Sequence, residues 1–364
     1  MTASARGNRL VRSWPWLVPV GAAALLAAAL AVALGPALAI ACAIALIGAV
    51  IAAVHHAEVV AHRVGEPFGT LVLAVAVTVI EVALIVSMML AGGADKATLP
   101  RDTIFAAIMI ICNGVVGICL LLGGLRHREQ AFRIEGANSA LAALITLATL
   151  SLVLPTFTTS SPHATYTASQ LAFAAIASLT VWAAFVFVQT VRHRDYFLPT
   201  GGGGEDAHAA PPPATAAWVS FGLLLVSLVA VVGLAKVLSP GIEAVVARAG
   251  APKTVIGIAI AMLVLLPETW AAIRAALADR LQTSLNLALG SALASIGLTI
   301  PAVALATMWL GRPLVLGIEP KDLVLLTLTF VVSAITLASG RTHMLQGAIH
   351  LVIFAAFLFL ALVP

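Results

Sequence analysis

Apolar residues occupy most of the chain in long runs, and the lengths of those runs decide the first reading. A helix needs about 20 predominantly apolar residues to cross the hydrocarbon of a bilayer. Segmentation gives eleven such runs, at 15–34, 36–54, 68–91, 103–124, 137–154, 169–191, 217–238, 254–275, 283–309, 322–339 and 345–362. Only Gly35-Pro36 separates the first two. Helices are expected, because lipid leaves an exposed backbone group without a hydrogen-bond partner. The apolar–polar alternation of a membrane β-barrel is absent from these runs. The predicted fold class is an all-α integral membrane protein of about eleven transmembrane helices.

One polar stretch interrupts the pattern. Residues 200–214 read TGGGGEDAHAAPPPA, a glycine run followed by three prolines. Such a segment cannot span a membrane and is expected to be a flexible cytoplasmic linker. It follows the sixth run. With the first run set aside, five precede it and five follow. The expected organisation is an N-terminal segment with an extra first span (1–35), a five-helix unit (36–199), the linker (200–214) and a second five-helix unit (215–364). Five is odd, so two such units in series insert with opposite orientation. Inverted repeats of this kind are a common build of secondary transporters, with the site near the midplane at the repeat interface.

Composition agrees. Of 364 residues, 62% are hydrophobic and 9% charged, against about 25% charged in soluble domains. A water-soluble core of this length cannot hide so much apolar surface. Arg6, Arg9 and Arg12 precede the first run as in a secretory signal. The apolar pattern then continues through the whole chain, so that run is expected to stay as a span. Cys42, Cys112 and Cys119 lie inside apolar runs without disulfide or metal spacing and are read as small packing residues.

The net charge of +4 has a topological explanation. With the N-terminus inside, 12 of the 19 Lys and Arg residues fall on inner segments. These are Arg6, Arg9, Arg12, Arg63, Arg126, Arg128, Arg133, Arg192, Arg194, Arg274, Arg280 and Arg341. The bias predicts a cytoplasmic N-terminus and an outer C-terminus. It gives no reason to expect a nucleic-acid partner; the expected partners are the lipid bilayer, inorganic cations and protons.

Two glutamates break the apolar runs. Glu81 sits near the centre of its run in AVAVTVIEVALIVSM, and Glu268 sits in IAMLVLLPETWAA. An ionisable group at such depth is costly and marks a functional site. Each falls in the second run of its five-helix unit. The next run of each unit carries a small polar step, Asn113-Gly114 in one and Gly290-Ser291 in the other. Thr78 lies three residues before Glu81, on the same helix face. Pro267 removes an amide donor and frees a carbonyl one turn back, near Leu263. In the ninth run Ser284, Ala288, Ser291 and Ser295 form one stripe, with Asn286, Gly290 and Gly297 beside it. Close helix packing accounts for most of such a stripe.

The candidate cation- and proton-binding residues are therefore Glu81, Glu268, Asn113, Ser291, Thr78, Gly290 and Asn286, with Glu81 and Glu268 as the metal-binding pair. Carboxylate, amide, hydroxyl and carbonyl oxygens suit a hard cation, and calcium takes 6–8 of them. Two carboxylates balance its charge. Once the ion leaves, two buried like charges favour protonation. Competition of this kind gives cation–proton antiport when the site alternates between the two sides. No cofactor is expected, only calcium as the transported substrate.

The stretches HHAEVVAHRVGEPFGTLVLAVAVTVIEVALI and LLPETWAAIRAALADRLQTSLNLALGSALASIGLTIPAV resemble the ChaA-like bacterial antiporters. These are calcium–proton antiporters of the calcium/cation antiporter superfamily. The resemblance implies an extra first span, two inverted five-helix repeats and placement in the bacterial inner membrane. It also implies that Glu81 and Glu268 bind the cation and exchange it for protons, with Gly290 and Ser291 in the family's Gly-Ser step. The Gly-Asn that many superfamily members place before each glutamate is replaced here, by Thr78-Val79-Ile80 and by Leu266-Pro267. An acidic segment between the halves is reduced to Glu205-Asp206.

Other readings stay open at this point. One is sodium– or potassium–proton antiport; another is sodium–calcium exchange, which would call for further ligands near the glutamates. A remote alternative is an intramembrane hydrolase using Ser339 and His343, although neither a G-x-S-x-G nor an H-E-x-x-H motif is present. A non-transporting scaffold is equally remote. His55, Glu58 and His62 share a helical face that could hold a transition metal, but beside Arg63 and Glu66 they read as an interfacial polar helix. His343 and His350 read as ordinary helix-end residues.

Overall fold

A computed structural model of the chain describes residues 3–65, 68–92, 96–198, 212–311 and 313–363. Glu66, Glu205, Asp206, Arg312 and most of the segment 200–214 lie outside the described residues. Nearly everything described is helical. Among the described residues, ten helical segments are long and apolar enough to cross a membrane, and one bent pair makes an eleventh. Their positions match the eleven apolar runs.

The chain divides into two compact units. The first comprises residues 1–92 and 209–245. It contains α1 (Ala3–Ala31), α2 (Pro36–Val64), α3 (Phe68–Gly92) and all but the last turn of α9 (Ala214–Arg248). Helix α2 packs against both α1 and α3. It runs ten residues beyond the expected end at residue 54, because nothing from Ile51 to Val64 breaks a helix and Gly65 with φ 77° stops it. Gly48 meets Val18, and Gly233 of α9 meets Leu26, so small residues set the close approaches here.

The second unit comprises residues 93–208 and 246–364. Helices α4 (Leu99–Met109) and α5 (Val116–His127) form one span, joined by a π-helical turn at Ile110–Val115. Helix α6 (Ile134–Ala148) continues through a second π turn into the short α7 (Leu154–Phe157), and α8 (Ala168–Phe187) follows. Helices α10 (Thr254–Val264) and α11 (Leu266–Leu277) form the bent pair. Then come α12 (Leu281–Leu310), α13 (Pro320–Ala338) and α14 (Met344–Leu362).

Packing in this unit is reciprocal between the segments before and after the linker. Helix α5 lies along α14, α12 lies along α8, and α6 packs on both α12 and α13. The loops repeat the exchange. Strand β1 (Glu129–Ala131), which follows α5, pairs antiparallel with β2 (Arg341–His343), which precedes α14. Thr165, ahead of α8, bridges Val315, which follows α12. Segments expected on the inner side thus meet one another, as do those expected outside. Glycines permit the contact of α5 with α14: a Cβ at Gly347 would strike the backbone of Leu121 and Gly117.

Candidate ion-binding site

The bent pair positions one of the two glutamates. Pro267 has no N–H for the Leu263 carbonyl, so the ladder fails at Leu265 and the axis turns by 55° between α10 and α11. The backbone N–H and the hydroxyl of Thr269 both return to the Leu265 carbonyl, at 2.9 and 2.7 Å, and restart the helix. Glu268 thereby falls in the first turn of α11, where the helix dipole presents its positive end to a carboxylate. It is half-buried. The break divides the span into segments of 11 and 12 residues, so the glutamate lies close to the middle of the crossing.

Three polar segments adjoin within this unit. Helix α11 packs on α12 and on the π turn at Ile110–Val115, and α12 packs on the same turn. The segments carrying Glu268, Asn113 and the Gly290-Ser291 step are therefore neighbours. Ser291 is half-buried, and a Cβ placed on Gly290 would meet no atom within 4 Å. That opening separates Gly290 from Gly297, whose Cβ would strike the Trp182 side chain. The stripe thus splits into a packing end and an end beside free space. Asn286 is held in a clasp: its amide donates to the Phe197 carbonyl (2.6 Å) and its oxygen accepts from Gln282 (2.9 Å). The Gln282 oxygen in turn accepts the Arg133 N–H at 2.6 Å.

Asn113 is fully buried, on the π turn at the centre of the 29-residue span Leu99–His127. Such turns recur at functional sites. Its amide nitrogen donates to Thr329 Oγ1 at 2.9 Å, and its oxygen lies 3.1 Å from His350 Nδ1. The other ring nitrogen of His350 lies 3.2 Å from Thr336 Oγ1. His350 is fully buried, so it is no ordinary helix-end residue. Its neighbours in sequence give no sign of this; only the reciprocal packing of α14 on α5 brings it to Asn113.

In the first unit, Glu81 is the fourteenth of the 25 residues of α3. Glu81 and Thr78 are both buried, at 4% and 5% exposure. The shared face expected from their spacing is thus turned inward. The histidine group of α2 has other work. His55 lies against Trp14, with ring centroids 5.0 Å apart, while Glu58 and His62 are exposed. Among the described residues, no group of three or more His, Cys, Asp or Glu side chains is placed to hold a metal ion. The buried member is His56, whose Nε2 donates to the Pro15 carbonyl at 2.8 Å. Ser339 donates to the carbonyls of Thr336 and Arg341, and His343 caps α14 by accepting the Leu345 N–H. Both partners of the alternative dyad are occupied by helix-end bonds.

A polytopic helical protein with two mid-span carboxylates, a buried mid-span amide, a broken helix and reciprocal packing belongs to the class of ion-translocating membrane proteins. The sequence profile of the sodium/calcium exchanger protein family matches residues 34–191 and 219–363, and the chain belongs to that family. It is a multi-pass membrane exchanger of cations and not an enzyme. A Sinorhizobium fredii protein, y4hA, named for ionic transport, is 51% identical over 85% of this chain and 84% of its own. The sodium-potassium/proton antiporter ChaA of Escherichia coli is 35% identical over 84% of this chain and 83% of its own. The solved structure of YfkE, a Ca2+/H+ antiporter protein, superimposes with a TM-score of 0.73 at 17% identity, covering 96% of this chain and all of that one.

Proposed function

We propose that the protein exchanges a cation, calcium in the first place, for protons by alternating access, and that Glu81 and Glu268 hold cation and proton in turn. The observation that carries this reading is the break at Leu265. It sets a carboxylate and a carbonyl without its helical partner at mid-span, beside the segments that bear Asn113 and Ser291. Two carboxylates balance a divalent charge, and amide, hydroxyl and carbonyl oxygens complete a hard-cation shell. Thr78 extends the Glu81 face, and Gly290 leaves space for the ion or its water. Asn286 stands at the edge of this set: its amide is anchored to Phe197 and Gln282, as that of Asn113 is to Thr329 and His350, and its oxygen keeps one lone pair.

The five-plus-five organisation, 36–199 and 215–364 as inverted repeats, is part of this proposal. Its support is the exchange of partners in the second unit and the two stretches of family match on either side of the linker. Placement in the bacterial inner membrane draws on the bacterial antiporters to which the chain is similar, and a cytoplasmic N-terminus draws on the Arg and Lys bias. A second reading, sodium– or potassium–proton antiport, draws on the name of the 35% identical relative; Ca2+/H+ antiporters of Aphanothece halophytica and Synechocystis are 25% and 24% identical.

The test is reconstitution of the purified protein in proteoliposomes with a pH-sensitive dye inside and an imposed proton gradient. Calcium, sodium, potassium and magnesium are added in turn to the native protein and to Glu81→Gln and Glu268→Gln. Cation-dependent proton movement, lost in both variants, is expected, and the strongest response identifies the substrate. Proton movement that survives both substitutions would refute the site.

A further inference from the structure

The buried polar chain behind Asn113 has a definite direction. Thr329 donates its hydroxyl hydrogen to the Leu325 carbonyl at 2.8 Å, so toward Asn113 it can only accept. Asn113 must therefore turn its NH2 group to Thr329 (2.9 Å) and its oxygen to His350. An amide oxygen only accepts, so the proton of the His350 ring sits on Nδ1. The remaining nitrogen, Nε2, accepts from Thr336 Oγ1 at 3.2 Å. In this arrangement every bond of the chain has a donor and an acceptor, and the Met109 sulfur (3.4 Å from Thr329 Oγ1, 3.9 Å from the Asn113 nitrogen) and the Cys112 backbone beside His350 are further partners of the same groups.

Alongside lies a cavity of about 10 Å³, room for one water, whose lining includes His350, Thr336, Ser333 and Cys112. Gly117 and Gly114 fix the ring's position from the other side: Gly117 lies against the His350 Cβ, and Gly114 against the ring of Phe354 one turn along α14.

We infer that His350 is a positioning residue for cation selection, holding the Asn113 amide with its oxygen available to the ion. An amide oxygen has two lone pairs. His350 engages one, which leaves the second for a cation and prevents the NH2 group from rotating into the site. A cation meeting NH2 in place of the oxygen would be repelled. This inference rests on the reading of Asn113 as a site residue, and its effect is on affinity and selectivity. His350 itself touches no substrate.

The test combines His350→Leu, His350→Asn, Asn113→Ala and the double variant His350→Leu/Asn113→Ala, with Glu268→Gln as a reference. Two quantities are read for calcium and sodium: the half-saturating concentration in proteoliposomes, and the cation-dependent rise in melting temperature of the detergent-solubilised protein. The second reports binding even in a variant that cannot transport. His350→Leu is expected to raise the half-saturating concentration about five- to tenfold while maximal rate changes less than twofold. His350→Asn, which returns an N–H near the Nδ1 position, should recover most of the loss. In the Asn113→Ala background, His350→Leu should add nothing further.

Additive effects in the double variant, or a loss of rate and stability with unchanged affinity, would overturn the inference. So would an Asn113→Ala protein that binds cations like the native one. Glu268→Gln separates the two levels: if it still transports, the proposed site fails. If it is inactive while the His350 cycle is additive, only the positioning role fails.

Discussion

His56 donates its Nε2 hydrogen to the carbonyl of Pro15, 2.8 Å away, four residues before Pro19. Pro19 lacks the N–H that would otherwise close that turn of α1. The imidazole takes its place and ties α1 to α2 inside an apolar contact. An unmatched carbonyl in hydrocarbon costs several times what it costs in water. The histidine is thus explained by the proline of a neighbouring helix.

The His56→Leu variant is accordingly expected to lose about 1–3 kcal/mol of stability. The measurement is a thermal melt in detergent, with limited proteolysis to report detachment of α1. Transport per folded molecule should stay close to native, since the bond lies outside the proposed site. Restoring the missing donor with Pro19→Ala should suppress the defect, because the Pro15 carbonyl then regains a helical partner. A double variant as unstable as His56→Leu alone would contradict this account.

The two glycines at small-residue contacts should respond in opposite ways. At Gly347 a Cβ would approach the Leu121 backbone nitrogen and the Gly117 oxygen, atoms that cannot move aside. Gly347→Ala is expected to separate α14 from α5 and to lower the yield of folded protein severely. At Gly290 a Cβ meets nothing within 4 Å. Gly290→Ala should melt within a few degrees of native, yet raise the half-saturating cation concentration several-fold if that space admits the ion. Melting curves and proteoliposome flux on the same preparations check both.

How much of this was legible beforehand follows from which forces act locally. The spans were readable because bilayer thickness imposes run lengths, and Gly35-Pro36 and Pro267 mark breaks by backbone chemistry alone. Glu81 and Glu268 stood out because charge inside an apolar run is costly wherever the run packs. The seventh run, expected at 217–238, ends too early: α9 continues to Arg248 through Pro240, since lipid and neighbouring helices tolerate what a soluble helix would not. Asn286 is a candidate along the chain only as part of the small polar stripe of the ninth run. Its actual commitment, to Phe197 and Gln282, depends on a loop 89 residues away. His56 and His350 were illegible for the same reason, because each is defined by a partner on a helix distant in sequence.

Helix geometry at the break yields a prediction independent of the glutamates themselves. Pro267→Ala restores the N–H toward the Leu263 carbonyl and should straighten the junction of α10 and α11. The variant is expected to gain stability, by about 1 kcal/mol, as the junction gains the backbone hydrogen bond to the Leu263 carbonyl that Pro267 denies it. It should lose cation affinity about tenfold, since the freed carbonyl disappears and Glu268 leaves the first turn of α11. Melting temperature and half-saturating concentration, moving in opposite directions, would support the break as a functional element. Unchanged affinity in a more stable protein would show that the bend serves packing alone.

Protons and the cation compete for the same carboxylates in the proposed mechanism, so pH should act on affinity before it acts on rate. Protonation of either glutamate removes a charge that the cation needs. Lowering the pH on the cation-loading side should therefore raise the half-saturating concentration, and a high cation concentration should restore the native maximal rate. For two coupled carboxylates that both release protons, the dependence approaches a hundredfold per pH unit where both are protonated. It flattens to none where both are ionised. Replacing one with glutamine would reduce the steepest slope to about tenfold per unit in binding measurements, even where transport is lost. The check is calcium- or sodium-dependent thermal stabilisation, titrated across pH for the native protein, Glu81→Gln and Glu268→Gln. A slope that is the same in all three would mean that the exchanged protons are carried by other groups.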